Sequence, residues 1–184
     1  MRYVKGSIEL PITYTAVVPT SEVLLAGYAD ASFDAPDISQ GKLSGTTTTG
    51  YIIVMQGAAV SWGAHQQKGQ PAISTAEAEY YASSETAGQT MFCRNIAVDL
   101  GLPQSGPTKL WSDNQAAIAI ANNPVANWRT RHLAIRHHML RELIQNGDIE
   151  FGYCPGRDMV ADPLTAKPLS KEVTLRHRKF MLGL

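Results

Sequence analysis

The stretch VLLAGYADASF, residues 23–33, is apolar over its first half and turns polar at Asp30. A short apolar run that becomes polar is typical of a buried strand, and we predict a strand whose far end presents Asp30, with Asp34 beyond it, to solvent. A carboxylate at the end of an apolar strand needs a partner or a metal ion, because an unpaired buried charge is costly. The structural alternative for Asp30 is an Asx turn that opens the following loop.

Two more strands and a long helix are predicted next. The run from Thr46 to Thr49, continued by GYIIVM, and the run AAVSWGAH both have strong β-propensity, with a hairpin turn at Gln56 and Gly57 between them. Ser74 and Glu77 then have the spacing of a capping box. A helix without proline follows and stops at LGLP, residues 100–103.

The remaining elements alternate between strands and helices. They are a strand KLWS, a helix NQAAIAIAN, a helix from about Thr130 to Gln145 that ends at Asn146 and Gly147, and a strand DIEFGYC. The predicted order β-β-β-α-β-α-α-β-α indicates an α/β domain with a mixed sheet covered by helices. The length of 184 residues and the hydrophobic content of 44% fit a single core. We assign residues 21–184 to this domain and residues 1–20 to a leader or docking strand.

The cysteine spacing and the hydropathy of the chain bear on its cellular location. Cys93 and Cys154 are far apart and match no zinc-ligand spacing, which favours a reducing compartment. The sequence has no recognisable signal peptide and no apolar run of membrane-spanning length. We therefore expect an intracellular protein with no membrane partner.

The charge is balanced, with 16 basic and 16 acidic residues, so net charge alone indicates no nucleic-acid partner. The basic residues are nevertheless clustered. One segment carries Arg129, Arg131, His132, Arg136, His137, His138 and Arg141, and a second cluster is Arg176, His177, Arg178 and Lys179. A neutral chain can carry a basic track beside an acidic site, and the first segment is a candidate for contact with phosphates.

Four carboxylates occur in contexts suited to metal binding: Asp30 in GYADASFD, Glu79 in STAEAEY, Asp113 in LWSDNQ and Asp162 in PGRDMVADPL. Mg²⁺ prefers such hard oxygen ligands, and two Mg²⁺ ions can stabilise both the attacking and the leaving oxygen of a phosphate displacement. Asp30 and Asp113 are predicted at strand ends, where ligand sites of open α/β sheets gather. The pattern therefore predicts a two-metal phosphodiesterase site.

Helix geometry separates the two nearby glutamates. Glu77 and Glu79 are two residues apart on the predicted helix and point about 200° away from each other, so only one can face the site. The capping box accounts for Glu77. Glu79 is therefore the predicted ligand.

Purely structural roles are alternatives for the other carboxylates. Asp113 precedes a helix and could serve as its N-cap. Asp162 precedes Pro163, an arrangement that suits an N-cap followed by proline at the first helical position. Asp158 is the substitute ligand if Asp162 is not the one used. Trp62 and Trp111 are predicted to be core residues of strands.

The segments GYADASFD, TTTTGYIIVMQGAAVSWGAHQQ, STAEAEYYA, LWSDNQAAIAIANNP, RTRHLAIRHHMLRE and ADPLTAKPL together resemble the ribonuclease H domain of copia-type LTR retrotransposon polyproteins. The resemblance spans nearly the whole chain, and RYVKGSIEL resembles the connection to the reverse transcriptase. It implies a ribonuclease H-like fold, a five-stranded mixed sheet flanked by helices. It also implies an Asp-Glu-Asp-Asp metal site, which carries over to Asp30, Glu79, Asp113 and Asp162.

The implied activity is endonucleolytic cleavage of the RNA strand of an RNA/DNA hybrid, which leaves 3′-hydroxyl and 5′-phosphate ends. Two Mg²⁺ ions, for which Mn²⁺ can substitute, are the implied cofactors, and the reverse transcriptase of the same polyprotein is an implied partner. The implied location is the cytoplasm, in a virus-like particle, or the nucleus. The chain departs from the family in an inserted residue within Thr165–Lys167, and in the loop CPGRDMVAD, which lacks the histidine of many cellular ribonucleases H. Arg157 or solvent would then assist product release.

Substrate contacts are predicted on both sides of this site. Main-chain groups near Gly27, Ser32 and Asn114 could contact 2′-hydroxyls, which distinguish RNA from DNA. Phosphate contacts are predicted for Arg129, Arg131, His132 and Arg136. The alternative to an active nuclease is a catalytically weak domain of the same fold that binds nucleic acid or scaffolds a reverse transcriptase. Another nuclease of this fold, such as an integrase, resolvase or exonuclease, is a third possibility.

Overall fold

The five strands form one mixed sheet. In a computed structural model of the protein, the structure describes residues 8–14, 25–34, 46–68, 72–102, 104–123, 138–165 and 169–184. The strands are β1 (Leu25–Asp34), β2 (Thr46–Met55), β3 (Ala58–Gln66), β4 (Thr108–Ser112) and β5 (Ile149–Tyr153). Their order is β3-β2-β1-β4-β5, with antiparallel pairing between β1, β2 and β3 and parallel pairing between β1, β4 and β5.

The hairpin and the helices confirm the predicted element order. Gln56 and Gly57 join β2 to β3 with φ of 53° and 83°, the left-handed pair that a tight hairpin turn requires. The helices are α1 (Thr75–Asp99), α2 (Gln115–Asn122), α3 (His138–Gln145) and α4 (Lys171–Leu182), and two 3-10 turns lie at Gly156–Asp158 and Asp162–Leu164. The predicted start of α3 near Thr130 lies outside the described residues. Among the described residues, no helix is long and apolar enough to cross a membrane.

Helix α1 packs closely on one face of the sheet because its buried side is made of small residues. Ser83, Thr86 and Thr90 each donate a hydroxyl hydrogen bond to the carbonyl four residues earlier, at 2.7–2.8 Å. Their polar groups are thus satisfied within the helix, which allows them to be buried. Ser74 begins the helix by accepting the N–H of Glu77, as the capping box predicts.

Gly27 of β1 is where helix and sheet come closest. A Cβ at this position would lie 2.8 Å from Thr90 Oγ1 and 2.9 Å from Leu110 Cδ1. Gly27 is buried in the middle of the sheet, between β2 and β4. The prediction that main-chain groups near Gly27 contact RNA is therefore wrong, because α1 and the neighbouring strands cover this residue.

We expect Gly27→Ala to lower the free energy of unfolding by roughly 1–3 kcal/mol, because overpacking forces the helix and sheet apart. Denaturant unfolding measures this change as a lower midpoint at unchanged slope. Gly106→Ala is the matched control, since a Cβ there meets nothing within 4 Å. Equal midpoints for the two variants would contradict the close packing.

The opposite face of the sheet packs against the C-terminal part of the chain. Ile52 and Val54 of β2 contact Val160 and Leu164 in the segment after β5, and Met181 of α4 joins them.

Two predictions about the strands need correction. Strand β1 continues to Asp34, so Asp30 lies within the strand. Trp62 is 50% exposed, because β3 is an edge strand and one of its faces is uncovered.

Part of the predicted leader contacts the domain. The Thr13 N–H donates to the carbonyl of Leu182 at 2.7 Å, and the Tyr14 hydroxyl donates to the carbonyl of Ala59 at 2.9 Å. Thr13 and Tyr14 therefore contact the end of α4 and the start of β3. The domain boundary at residue 21 stays a prediction.

Candidate metal site

Three of the four predicted carboxylates converge. Asp30, Asp113 and Asp162 each place a carboxylate oxygen within 4.8 Å of those of the other two. Asp30 is fully buried and Asp162 is 7% exposed, while Asp113 is partly exposed. Negative charges this close repel one another, and the two buried ones are costly without a compensating cation. The oxygen-only donor set is the kind that Mg²⁺ prefers.

The parallel sheet explains why Asp30 and Asp113 meet. The pairing of β1 with β4 ends at Tyr28 and Trp111, two residues before each aspartate. Beyond that point β1 continues against β2 alone, with Asp30 opposite Gly50, while Asp113 directly follows β4. The site thus lies at the carboxyl end of β4, where open α/β sheets bind ligands.

The 3-10 turn after β5 brings Asp162 to the same place. Asp162 is the first residue of this turn, Ala161 is its cap and α4 begins only at Lys171. The interpretation of Asp162 as an N-cap is therefore wrong. Asp158, the proposed substitute, lies outside the carboxylate group and pairs instead with Arg157 at 3.4 Å and Arg176 at 3.6 Å.

Thr165 joins two of the carboxylate residues and was missed as a site residue. Its hydroxyl, in a side chain only 1% exposed, donates to the Asp30 carboxylate and lies 3.0 Å from the Asp162 carbonyl oxygen. Gly50 makes the approach possible, since a Cβ there would lie 2.6 Å from the Thr165 Cγ2 atom. The sequence singled out this threonine only as part of an insertion.

Glu79 lies beside the carboxylate group without being one of its three members. It is 3% exposed, and its Oε2 accepts the N–H of Ala31, the neighbour of Asp30, at 3.1 Å. Glu77 points elsewhere, accepting the N–H of Ile73 at 2.8 Å and the hydroxyl of Tyr81. The helix argument for Glu79 over Glu77 thus agrees with the side-chain contacts.

Asn114, not Asp113, caps helix α2. The Asn114 side chain accepts the N–H of Ala117 at 3.0 Å, and its own N–H donates to Ser112 Oγ at 3.2 Å. Capping therefore does not account for Asp113, which belongs to the carboxylate group. Both side chain and N–H of Asn114 have local partners.

Burial and nearby negative charge both raise the pKa of the Cys154 thiol. Burial raises this pKa to about 11, with further contributions from the charges of Asp158, Asp113 and Asp162. Cys93 and Cys154 are both free thiols.

The predicted nucleic-acid contacts have mixed outcomes. Ser32 lies two residues beyond Asp30 on the same strand and is partly exposed. Arg129, Arg131, His132 and Arg136 lie outside the described residues. Arg141, from the same basic segment, is buried and donates two hydrogen bonds to the carbonyl of Ile120, at 2.9 and 3.2 Å. Its role is to join α3 to α2. The Arg157 side chain is 80% exposed, and its role in product release stays a prediction.

The sequence is similar to curated transposon proteins. It is 32% identical over 165 residues, 90% of this chain, to the retrovirus-related Pol polyprotein from transposon TNT 1-94 of Nicotiana tabacum. It is 33% identical over 147 residues, 80% of this chain, to that from transposon RE1 of Arabidopsis thaliana. The chain is a homologue of the Pol polyproteins of plant copia-type transposons. It spans 12% and 10% of these two relatives, and no family model matches it.

Solved structures show the same fold. The N-terminal RNase H domain of a Mycobacterium tuberculosis protein has a TM-score of 0.51 at 13% identity, covering 86% of this chain and 98% of its own. RNase H1 of Halobacterium salinarum has a TM-score of 0.51 at 19% identity, covering 76% and 92%. The predicted five-stranded ribonuclease H fold and the predicted family resemblance are both confirmed.

Proposed function

We propose that this domain hydrolyses the RNA strand of RNA/DNA hybrids by two-metal-ion catalysis. The convergence of Asp30, Asp113 and Asp162 at the end of the parallel strands is the observation that carries the proposal. The ribonuclease H fold and the homology to Pol polyproteins support the same nuclease class. By this homology, the reverse transcriptase of the same polyprotein is its proposed partner.

The chain's own residues have distinct roles in this proposal. Asp30, Asp113 and Asp162 would hold divalent ions, with Mg²⁺ favoured by the oxygen-only donor set. Glu79 is the fourth proposed ligand, and through its hydrogen bond to the Ala31 N–H it also fixes β1 beside Asp30. The chemistry supplied by two bound divalent ions is a lowered pKa for the attacking water and stabilisation of the departing 3′ oxygen.

The choice of RNA as the cleaved strand rests on groups near the carboxylates. Ser32 is exposed enough to meet the minor groove of a hybrid, where 2′-hydroxyls are displayed. Because its side-chain amide oxygen caps α2, Asn114 would act by placing the start of this helix near the substrate. The four basic residues at 129–136 would contact phosphates, which position the duplex without reading its sequence.

A substrate panel tests the proposal. The protein is incubated with Mg²⁺ and end-labelled RNA/DNA hybrid, double-stranded DNA and double-stranded RNA of one sequence, and products are resolved on a denaturing gel. We expect cleavage of the hybrid alone, in its RNA strand. Hybrid binding without cleavage would instead identify a catalytically weak scaffold, and cleavage of DNA would identify another nuclease of this fold.

Salt dependence tests the basic segment. The logarithm of hybrid affinity should fall linearly with the logarithm of salt concentration, because bound phosphates release counterions. We expect Arg129→Ala, Arg131→Ala and Arg136→Ala each to reduce this slope by about 1. Fluorescence anisotropy with labelled hybrid measures the slopes. The exposed Lys171, changed to Ala, removes an equal charge elsewhere and should leave the slope unaltered.

A further inference from the structure

A cavity of about 450 Å³ lies between the sheet and helix α4. Its walls come from β1 and β4, from the segment that ends β5 and follows it, and from α4. Its lining includes Tyr28, Trp111, Tyr153, Asp158, Arg176, His177 and Phe180. A volume of this size is typical of pockets for small ligands and accommodates a nucleotide.

Aromatic rings surround this cavity. Tyr28 and Phe180 pack edge to face with ring centroids 5.7 Å apart, and Tyr153 is 48% exposed at the end of β5. The sheet leaves space for the Trp111 indole, because a Cβ at Gly152 would lie 2.8 Å from that ring. Several aromatic rings around one space suit a flat, stackable ligand.

A buried histidine lies at the inner wall of this cavity. His177 is 1% exposed, and its Nε2 lies 3.2 Å from the carbonyl oxygen of Arg157. A carbonyl only accepts, so Nε2 is the donor of this hydrogen bond. Nδ1 has no hydrogen-bond partner among the described residues and is itself buried, so the His177 ring forms part of the cavity wall and does not offer Nδ1 to a ligand there.

The cavity lies next to the carboxylate group. Tyr28 and Trp111 are paired across β1 and β4, and each precedes a carboxylate of the group by two residues. Two residues of strand span about 7 Å. Arg176, whose side chain is 52% exposed, adds a positive charge beside Asp158, with 3.6 Å between their nearest atoms.

We propose that this cavity binds an unpaired nucleobase, stacked on its aromatic rings, with the His177 ring at its inner wall. This rests on the proposed function, because the base would belong to a single-stranded end of the nucleic acid held at the carboxylates. Unpaired bases are commonly bound by aromatic stacking together with hydrogen bonds to their edges. Every base has a π-face, so the stacking tolerates any sequence.

The test compares hybrids that differ only in the bases of an overhang. One carries a four-nucleotide single-stranded DNA end, and the other carries the same end with abasic nucleotides. Binding is measured in EDTA with a protein carrying Trp62→Phe and Trp128→Phe, so that Trp111 is its sole tryptophan. We expect about tenfold tighter binding of the overhang with bases, and quenching of Trp111 fluorescence by that substrate.

Variants assign the effect to the cavity. Phe180→Ala should remove most of the difference between the two overhangs while affinity for blunt hybrid stays unchanged. A protein that carries Trp62→Ala in place of Trp62→Phe, and so has no aromatic ring at this exposed position of the edge strand β3, should retain the full difference. Unchanged affinity for blunt hybrid also shows that a variant is folded.

The outcomes are distinct. Equal binding of both overhangs, with no quenching by free mononucleotides, would overturn the proposal even if blunt hybrid is cleaved with Mg²⁺. If a free mononucleotide quenches Trp111 but the two overhangs bind equally, the cavity recognises a nucleobase, and its ligand is a free nucleotide and not the end of a nucleic acid. Failure of hybrid cleavage would count against the proposed function alone, because the overhang comparison needs no catalysis.

Discussion

Asp113→Asn is expected to slow cleavage of an RNA/DNA hybrid by roughly 1,000-fold, the upper range for removing one electrostatic contact at a reacting centre. The substitution keeps the size of the side chain and removes its charge. Asp113 is only partly buried, and Asn114 rather than Asp113 caps α2. Single-turnover cleavage of end-labelled hybrid at saturating Mg²⁺ measures the rate.

Asp34→Asn is the matched control for this change. Asp34 is the exposed last residue of β1, where its carboxylate lies 3.4 Å from the Thr46 hydroxyl. We expect unchanged cleavage and an unchanged unfolding midpoint. A rate for Asp113→Asn within twofold of the unmodified protein would rule out the carboxylate group as the reacting centre.

Local chemistry in the sequence was sufficient for most of the fold. The Gln56-Gly57 pair predicts the hairpin because a tight turn between twisted strands requires left-handed residues. Ser74 predicts the start of α1 because its hydroxyl can accept a helix N–H. These predictions hold because each depends on residues within four positions of one another.

Strand length, the position of a strand in the sheet and the choice of helix cap depend on contacts that the local sequence does not show. The end of β1 was predicted from the polarity of the residues after Asp30, but the ladder with Thr46–Thr49 carries the strand to Asp34. Similarly, Trp62 was predicted to lie in the core because it is a large aromatic residue in a strand. It is exposed, because its strand is at the edge of the sheet. Asp113 and Asn114 both suit an N-cap, and only the side-chain contacts distinguish them.

The carboxylates of the candidate site could be predicted from the sequence, but the contacts that support them could not. Asp30, Asp113 and Asp162 were predicted from sequence context, and the fold brings them together. Thr165 was missed because it is 135 residues away from Asp30 in sequence and has no motif of its own. Such a contact follows only from the packing of the last 3-10 turn over Gly50.

Thr165→Val is therefore the second informative change, and we expect it to reduce hybrid cleavage by about 10–100-fold, the usual effect of losing a group that orients a metal ligand. Valine preserves the shape but removes the hydroxyl that donates to Asp30. Because Asp30 would be less well oriented, the Mg²⁺ concentration for half-maximal rate should also rise. A Mg²⁺ titration of the cleavage rate measures both effects.

Two further variants separate orientation of Asp30 from a general loss of packing. Thr165→Ser retains the hydroxyl and should restore most of the cleavage and the Mg²⁺ dependence, although it loses a buried methyl group. Thr174→Val removes an exposed hydroxyl that donates to the Ser170 carbonyl at 3.0 Å, and it should leave both unchanged. If Thr165→Val lowers the unfolding midpoint without moving the Mg²⁺ dependence, Thr165 acts through packing over Gly50 and does not orient the metal ligand.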